Sequence, residues 1–265
     1  MTFHRGAVAG PDPAEQALEL ALAHALVRRA GAGELDEVLR IHRPTRPVVV
    51  FGRRDTRLPG FAGAAAAARA AGFEPLVRAT GGRAVAYTDA SLVIDHVRHD
   101  VDAQAGQERR FAEFGDRFVS VFAGLGVRAQ VGAVPGEYCP GAHSVNARGV
   151  VKLVGTSQRV VRNAWLFSSL VVVGDEERLR PVLTEVYRHL GQEFDAASVG
   201  SLSGEVPGLD VDTVETALLS GLDLAPAPVD DRTLALAHEL SDASRVPVVT
   251  LSERGPDTRL AEGQR

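Results

Sequence analysis

Two residue types with useful chemistry occur only once in this sequence. Cys139 is the single cysteine and Lys152 is the single lysine, while the other cationic side chains, apart from histidines, are arginines. Burial or a neighbouring charge can bring a lysine amine toward neutral pH, which does not happen to an arginine guanidinium. A thiol beside an ammonium group loses its proton readily and becomes a nucleophile. We therefore predict that Cys139 and Lys152 form a catalytic pair for acyl transfer.

The local sequence around both residues favours this interpretation. Cys139 lies in the turn-forming run Gly-Glu-Tyr-Cys-Pro-Gly, residues 136–141, which predicts an exposed loop. Lys152 lies inside the apolar run Val150–Val154, where a charged side chain needs a cavity or a partner. A lone cysteine is also commonly a small buried hydrophobe, so a structural role is the alternative. A thiol on a loop and an amine on a buried strand could meet in a cleft.

A second stretch with chemical potential is the loop 79–84, which reads Ala-Thr-Gly-Gly-Arg-Ala. Paired glycines, here Gly81 and Gly82, let a backbone approach a ligand closely and turn its amides toward an oxygen atom. Arg78 and Arg83 add positive charge on either side. The simpler alternative is a Gly-Gly hairpin turn between two strands, with no function of its own.

These residues must be positioned by the surrounding helices and strands. Hydrophobic periodicity predicts helices at 13–31, 61–72, 107–124, 175–189, 211–219 and 232–240, and strands at 37–43, 47–52, 75–78, 91–97, 127–131, 144–146, 150–161 and 164–173. We expect the half-buried strand 37–43 and the fully apolar strand 47–52 to be neighbours in one sheet. The mixed order predicts an α+β fold with a largely antiparallel or mixed sheet flanked by helices.

Composition excludes several classes of protein. The 265 residues carry a net charge of −5 with interspersed signs, and no basic patch indicates nucleic-acid binding. No stretch has the pattern of a leader peptide or the length of a membrane span. One cysteine excludes an internal disulfide and a thiolate metal site. We expect a cytoplasmic protein.

The combination of motifs resembles the catalytic domain shared by lipoate-protein ligases, biotin-protein ligases and octanoyl or lipoyl transferases. The resemblance covers roughly residues 13–220. It rests on Leu-Glu-Leu-Ala in the first helix, the strand 47–52 followed by arginine, the loop Arg78-Ala-Thr-Gly-Gly-Arg-Ala-Val and the run Lys152-Leu-Val-Gly-Thr-Ser-Gln-Arg. Tyr138-Cys-Pro-Gly141 is most similar to the cysteine-dependent branch, in which the thiol carries an octanoyl or lipoyl group as a thioester.

The resemblance implies a role for each matching residue. Cys139 would be the nucleophile, Lys152 would lie at the acyl head group, and the strands 48–51 and 92–94 could line a narrow apolar channel. The substrate-binding residues would be Arg78, Thr80, Gly81, Gly82 and Arg83 in the loop and Gly155, Thr156 and Gln158 in a strand turn. Residues 13–222 would form the catalytic domain, after a disordered or extended segment 1–12 and before a helical extension and frayed tail at 223–265.

The resemblance also implies partners and leaves alternatives open. The donor would be an acyl carrier protein or a glycine-cleavage H-type protein, the acceptor a lipoyl domain of a 2-oxoacid dehydrogenase subunit, and no cofactor would be required. The first alternative is an ATP-dependent lipoate-protein or biotin-type ligase, which would use ATP and magnesium to make an acyl-adenylate. The second is a binding protein that keeps the fold and acyl pocket without turnover.

Overall fold

The computed structural model describes residues 1–247, so the predicted tail Ser252–Arg265 lies outside the described residues. The helices are α1 Gln16–Gly31, α2 Phe61–Ala70, α3 Gln107–Gly124, α4 Glu176–Leu190, α5 Leu202–Glu205, α6 Val211–Leu219 and α7 Asp231–Ser241. The strands are β1 Thr2–Arg5, β2 Glu37–His42, β3 Val48–Phe51, β4 Glu74–Val77, β5 Val85–Tyr87, β6 Ser91–His99, β7 Ala129–Val131, β8 Val145–Ala147, β9 Val151–Val161, β10 Ala164–Val172 and β11 Ala225–Pro226.

The strands form a large and a small sheet. The large sheet has eight strands in the order β11-β1-β2-β6-β10-β9-β8-β7, and the small sheet has three in the order β4-β3-β5. Pairing is parallel for β11-β1, β1-β2 and β3-β4, and antiparallel for the remaining pairs. The predicted α+β fold with a mixed, mostly antiparallel sheet is therefore confirmed.

The prediction that the strands at 37–43 and 47–52, which are β2 and β3 in the structure, are neighbours in one sheet is wrong. β2 pairs with β1 and β6 in the large sheet, whereas β3 pairs with β4 and β5 in the small sheet. The predicted half-exposure of β2 is also wrong, since residues 38–42 are all buried. Its polar side chains Arg40 and His42 face the protein interior, where Glu19 and Asp95 lie beside the Arg40 guanidinium.

Helices and the small sheet cover the two faces of the large sheet. On one face, α3 and α6 bury an apolar core against β2, β6, β9 and β10. The phenylalanines of α3 belong to this layer, as their helical spacing predicts, with Phe118 and Phe122 buried and Phe114 stacked on Phe167 of β10. On the other face lie α1, the small sheet and α4, and α7 packs against α1. The candidate site lies on this second face.

Strand β9 brings the only lysine to the site. The strand is continuous from Val151 to Val161, so the predicted strand turn at residues 155–158 is wrong. Its pairing with β8 shifts by one residue, because Val145 faces Val154 while Asn146 faces Lys152. Such a bulge changes the direction of the side chains beside it. As a result, the Lys152 side chain passes close to Gly155.

Residues 1–247 contain neither a membrane-spanning helix nor a clustered set of metal ligands. No helix there combines the length and apolar character that a bilayer crossing requires. Within the same residues, no group of three or more histidine, cysteine, aspartate or glutamate side chains is arranged to hold a metal ion.

Candidate active site

The sulfur of Cys139 lies between two loops that come from different sheets. Cys139 belongs to the cysteine loop, residues 132–144, which joins β7 to β8 of the large sheet. It faces the arginine loop, residues 78–84, which joins β4 to β5 of the small sheet. The backbone N–H of Arg83 donates to Sγ at 3.2 Å, and Nη2 of Arg78 lies 3.4 Å from Sγ. Both contacts favour a negatively charged sulfur.

Gly82 makes this close approach possible. Its φ of +101° is in the region that favours glycine, and a Cβ at this position would lie 2.7 Å from the Cys139 sulfur and would overlap the Arg78 guanidinium. Gly52, which directly follows β3, allows the close approach on the other side of the arginine loop, because a Cβ there would overlap the carbonyl oxygen of Gly82. The two glycines therefore let the arginine loop fit between β3 and the thiol.

The backbone of Cys139 is held in an unusual conformation. Its φ is +44°, which a residue with a side chain adopts only when its surroundings impose it. The Cys139 N–H donates to the hydroxyl of Tyr187 on α4 at 2.6 Å, and that hydroxyl donates to the carbonyl oxygen of Ala84 at 3.0 Å. Tyr187 thus joins the cysteine loop to the arginine loop through one buried oxygen atom. Sequence patterns gave no sign of this role.

Lys152 contacts Cys139 at the carbonyl oxygen of Cys139 and not at its sulfur. The ammonium Nζ donates to the carbonyl oxygens of Cys139 at 2.9 Å and Tyr138 at 3.0 Å, and it lies 2.8 Å from Oε2 of Glu137. Among the described residues, Nζ has no hydrogen bond to the sulfur. With only 2 % of its side chain exposed, Lys152 is a buried ammonium whose three N–H bonds are occupied by the cysteine loop.

Glu137 completes the support of the cysteine loop. Its carboxylate accepts hydrogen bonds from the hydroxyl of Ser144 at 2.6 Å and from the backbone N–H of Val134 at 3.0 Å, besides its ion pair with Lys152. Its side chain is fully buried. Glu137 was not predicted from the sequence, although a carboxylate two residues before the only cysteine was a candidate partner for the only lysine.

Opposing effects set the pKa of the Cys139 thiol. Burial by itself raises this pKa, because it disfavours the charged sulfur. The positive charges of Arg78 and Lys152 and the hydrogen bond from the Arg83 backbone act in the other direction and outweigh it, so the pKa of the thiol is lowered. The arrangement therefore favours a thiolate nucleophile over a thiol.

The thiol opens onto a cleft between the large sheet, the small sheet and α1. This central cleft contains about 740 Å³ of space, including open solvent at its mouth. Apolar side chains from both sheets and α1 form much of its wall, among them Leu20, Val50, Val85, Val93 and Leu170. Polar and charged side chains also line it, namely Glu19, His24, His42, Asp95, Ser168 and Ser169. Apolar walls beside a nucleophilic sulfur suit the alkyl chain of an acyl substrate.

The sequence-predicted site residues fall into three groups. Those that line the central cleft are Cys139, Arg78, Thr80, Gly155 and Thr156, and Gly82 and Arg83 lie at the sulfur. Lys152 lies outside the cleft wall and binds the backbone of the cysteine loop. The remaining two lie apart from the thiol: Gly81 is exposed, and Gln158 accepts from Nε of Arg110 on α3 at 2.8 Å.

Other residues support the arginine loop. Nη1 of Arg83 lies 3.2 Å from Oδ1 of Asp55, whose side chain is fully buried and whose second oxygen accepts from the Gly52 N–H at 2.9 Å. Arg159 on β9 donates to the carbonyl oxygen of Ala79 at 2.9 Å. Through these contacts the position of Arg83 is coupled to β3 and to the large sheet.

Comparison with known families agrees with this geometry. The family model for the lipoyl protein ligase A/B catalytic domain matches residues 15–223, which include both loops and every strand that lines the cleft. The chain belongs to this family. Membership in the lipoyl protein ligase A/B family confirms the resemblance drawn from the motifs in the sequence.

Curated relatives of this lipoyl protein ligase A/B family member are named octanoyltransferases. An octanoyl-[GcvH]:protein N-octanoyltransferase from Geobacillus kaustophilus is 30 % identical over 179 residues, which are 65 % of this chain and 60 % of the relative. A protein of the same name from Exiguobacterium sibiricum is 34 % identical over 125 residues, 46 % of this chain and 43 % of the relative. The chain thus spans about half the length of the curated relatives it matches.

Solved structures of lipoate-protein ligases share the fold of this family member. A lipoate-protein ligase A bound with ATP has a TM-score of 0.70 at 19 % identity, with 91 % of this chain and 95 % of that chain covered. A putative lipoate protein ligase from T. acidophilum with bound lipoic acid has a TM-score of 0.70 at 19 % identity, with 92 % and 95 % covered. At this level of identity the likeness concerns the fold alone.

Proposed function

We propose that this protein is an acyltransferase that moves an octanoyl or lipoyl group through a thioester on Cys139 to a lysine amine of a lipoyl-carrier domain. The observation that carries the proposal is the Cys139 sulfur, which opens onto a cleft with largely apolar walls while Arg78, Arg83 and Lys152 lower its pKa. The names of the curated relatives support octanoyl as the transferred group.

The first half-reaction loads the enzyme. The Cys139 thiolate attacks the carbonyl carbon of the donor, a C–S bond forms, and the bond from that carbon to the donor's sulfur or nitrogen breaks. The departing donor atom takes up one proton, which balances the proton that the thiol lost on ionisation. The N–H of Arg83 and the guanidinium of Arg78 lie on the sulfur, so they are suited to stabilise the charge that moves from sulfur to the carbonyl oxygen.

The second half-reaction transfers the acyl group from Cys139 to the acceptor. A lysine amine of the acceptor attacks the thioester carbon, an amide forms, the C–S bond breaks and Cys139 returns with its proton. A thioester is an activated acyl group, so the amide forms without ATP or magnesium, and no cofactor is needed in this scheme. For the protein partners we propose a GcvH-type H protein or an acyl carrier protein as donor and a lipoyl domain of a 2-oxoacid dehydrogenase subunit as acceptor.

The contacts of Lys152 support a positioning role in place of the catalytic role expected from the sequence. Its ammonium is bound to Glu137 and to two carbonyl oxygens of the cysteine loop, so no N–H remains directed at a leaving group. Lys152 would fix the loop in the conformation that Cys139 needs and would supply a positive charge near the sulfur. The acyl group would be handled by the arginine loop.

Intact-mass measurement tests the proposal. The protein is incubated with an octanoyl thioester of an acyl carrier protein, and separately with octanoyl-GcvH, in the absence of acceptor. We expect one added octanoyl group on the wild-type protein, released by hydroxylamine, and none on the Cys139→Ser variant. Lys152→Arg, which keeps the charge, should retain loading more fully than Lys152→Met. Pyrophosphate release from ATP and free octanoate, unchanged in Cys139→Ser, would instead identify an adenylate-forming ligase.

A further inference from the structure

A second cavity lies on the opposite face of the large sheet from the central cleft. Strands β2, β6 and β10 form one side of it and helices α3 and α6 the other, and it contains about 790 Å³ of space, including open solvent at its entrance. Packed interiors leave few voids larger than a water molecule, so an apolar space of this size is suited to a ligand. Most of the side chains that line it are apolar, among them Leu39, Ile41, Ile94, Phe118, Leu218 and Leu219.

The second cavity adjoins a smaller space that is lined by three arginines. This basic pocket contains about 590 Å³, including open solvent, and its arginines are Arg98 of β6 and Arg110 and Arg117 of α3. The two spaces share His96, Phe114 and Arg117 as lining residues. An apolar space therefore opens directly into a positively charged one, which is the arrangement that an amphipathic anion requires.

Two of these arginines have no carboxylate partner within residues 1–247. Nη2 of Arg117 donates to the carbonyl oxygen of Leu218 at 3.1 Å, which leaves its charge unpaired. Arg98 lies opposite Glu37 in the register of β6 and β2, but the Glu37 carboxylate lies 2.8 Å from Nε2 of His96 and is bonded to that ring. Partial burial lowers the pKa of Arg117, and no carboxylate opposes this effect.

The other charged groups leave the basic pocket positive. Glu113, the one carboxylate among its lining residues, pairs with Arg109, whose Nε atom lies 3.5 Å from Oε1. Arg110 donates to the side-chain oxygen of Gln158 at 2.8 Å and has a more distant carboxylate in Asp100. The two arginines without a carboxylate partner therefore remain to bind an anion. Hydrogen bonds between a guanidinium and a carboxylate are short and strong, because both groups are charged.

Strand β6 aligns the basic pocket with the second cavity. Arg98, His96 and Ile94 are spaced by two residues along the strand, so their side chains point to the same face of the sheet. Arg98 lines the basic pocket, Ile94 lines the second cavity, and His96 lines both. The four residues from Arg98 to Ile94 span about 13 Å along the strand. This distance is long enough for an extended medium-chain alkyl group whose charged end lies in the basic pocket.

We infer that the second cavity binds a medium-chain carboxylic acid as its anion, with the alkyl chain among the apolar side chains and the carboxylate at Arg98 and Arg117. The alkyl chain gains free energy by leaving water, and the carboxylate pairs with guanidiniums that lack a carboxylate partner. The site is separate from the central cleft, since Val93 lines the central cleft whereas the next residue, Ile94, lines the second cavity. It is independent of the proposed transfer function.

Titration with octanoate tests the inference after the central cleft has been filled. Octyl methanethiosulfonate places an octylthio group on Cys139, the only cysteine, with loss of methanesulfinate. Calorimetry gives the stoichiometry, and the fluorescence of Trp165, the only tryptophan, reports binding because this side chain lines the basic pocket. We expect one octanoate per blocked protein, and octan-1-ol should bind at least tenfold more weakly. No binding of octanoate to the blocked protein, or equal affinity for octan-1-ol, would overturn the inference.

Variants assign the binding to the two spaces. Arg98→Met and Arg117→Met should each weaken octanoate binding about tenfold and leave the affinity for octan-1-ol unchanged. Arg128→Met is the matched control, since Arg128 is an exposed arginine between α3 and β7 that lines neither space, and it should bind octanoate like wild type. Leu219→Phe narrows the second cavity and should weaken both ligands, with urea unfolding as the check that the variant is folded. Unchanged octanoate affinity in both Arg98→Met and Arg117→Met, or in Leu219→Phe, would refute the assignment.

Discussion

Replacement of Lys152 by methionine separates the support of the cysteine loop from the activation of its thiol. Methionine has a similar length and no charge, so the variant fills most of the same space but loses the ion pair with Glu137 and two hydrogen bonds to carbonyl oxygens. Glu137 then remains as a buried carboxylate without its cation. The variant should be less stable, and its thiol should have a higher pKa.

The magnitude follows from the burial of both partners. Removal of one member of a buried ion pair typically costs about 3–5 kcal/mol, because the other charge is left uncompensated. Here Ser144 and Val134 continue to donate to Glu137, at 2.6 and 3.0 Å, so we expect the free energy of unfolding to fall by about 3 kcal/mol, near the lower end of that range. Lys152 and Glu137 are 2 % and 0 % exposed, so screening by solvent does not reduce this value much.

The assay is a double-mutant cycle with two readouts. Urea unfolding gives the free energy of unfolding for wild type, Lys152→Met, Glu137→Gln and the double variant, and the rate of alkylation against pH gives the thiol pKa. The double variant should recover part of the lost stability, because no unpaired charge is left, yet its thiol pKa should stay above that of the wild type. A loss of less than 1 kcal/mol in Lys152→Met, or an unchanged thiol pKa, would refute the reasoning.

The remaining predictions concern the contacts of the sulfur. Gly82→Ala should abolish or strongly reduce acyl loading, because its Cβ would collide with the sulfur at 2.7 Å, while the matched control Gly81→Ala meets open space and should load at a rate near that of wild type. Tyr187→Phe leaves the Cys139 N–H buried without a partner, so urea unfolding should show a loss of about 1–3 kcal/mol, and an unchanged stability would contradict this. In wild type, alkylation of Cys139 should reach its half-maximal rate below the pH of an ordinary cysteine, and Arg78→Met should move this midpoint upward; equal midpoints would rule out activation by Arg78. Because the folded-state pKa is the lower one, the ionised thiol stabilises the fold fully above the ordinary cysteine pKa of about 8.5, and this contribution is lost as the pH falls through the lowered value.

The sequence predicted the helices better than the partners of the strands. The boundaries of α3 and α6 agree with the prediction, because apolar residues that recur with a period of 3.6 lie on one face only in a helix. Strand pairing depends on contacts distant in sequence, and alternation does not specify them. Strands β2 and β3 follow each other closely in the chain and are both buried, yet they belong to different sheets.

The misjudged burial of β2 has a physical cause. Arg40 and His42 alternate with apolar residues, which is the usual pattern of a strand with one solvated face. In the structure the polar face points to the interior, where Glu19 and Asp95 compensate the charge of Arg40. Alternation of polar and apolar residues indicates only that the two faces of a strand differ in polarity. The polar face can be directed at buried charged side chains as well as at water. The buried polar face of β2 therefore could not be predicted from the pattern alone.

The candidate site was easier to locate than to describe. The unique Cys139 and Lys152 marked the correct region, since a charged residue in an apolar strand requires a partner. The sequence did not reveal that the partner is Glu137, nor that a bulge in β9 turns the lysine beneath the cysteine loop. Tyr187 is separated from Cys139 by 48 residues, and no local signal connects them.

The reactivity of the thiol depends on the relative position of the two sheets. The arginine loop, which donates to the sulfur, extends from the small sheet, whereas Lys152 belongs to the large sheet. Tyr187 bonds both loops, and Asp55 holds Arg83 from the end of β3. Any change that separates the sheets would lengthen the contacts of Arg78 and Arg83 to the sulfur together, raise the thiol pKa and widen the cleft. Activation of the nucleophile and closure of the acyl cleft are therefore coupled, so a chain seated between the sheets would stabilise the arrangement that makes Cys139 reactive.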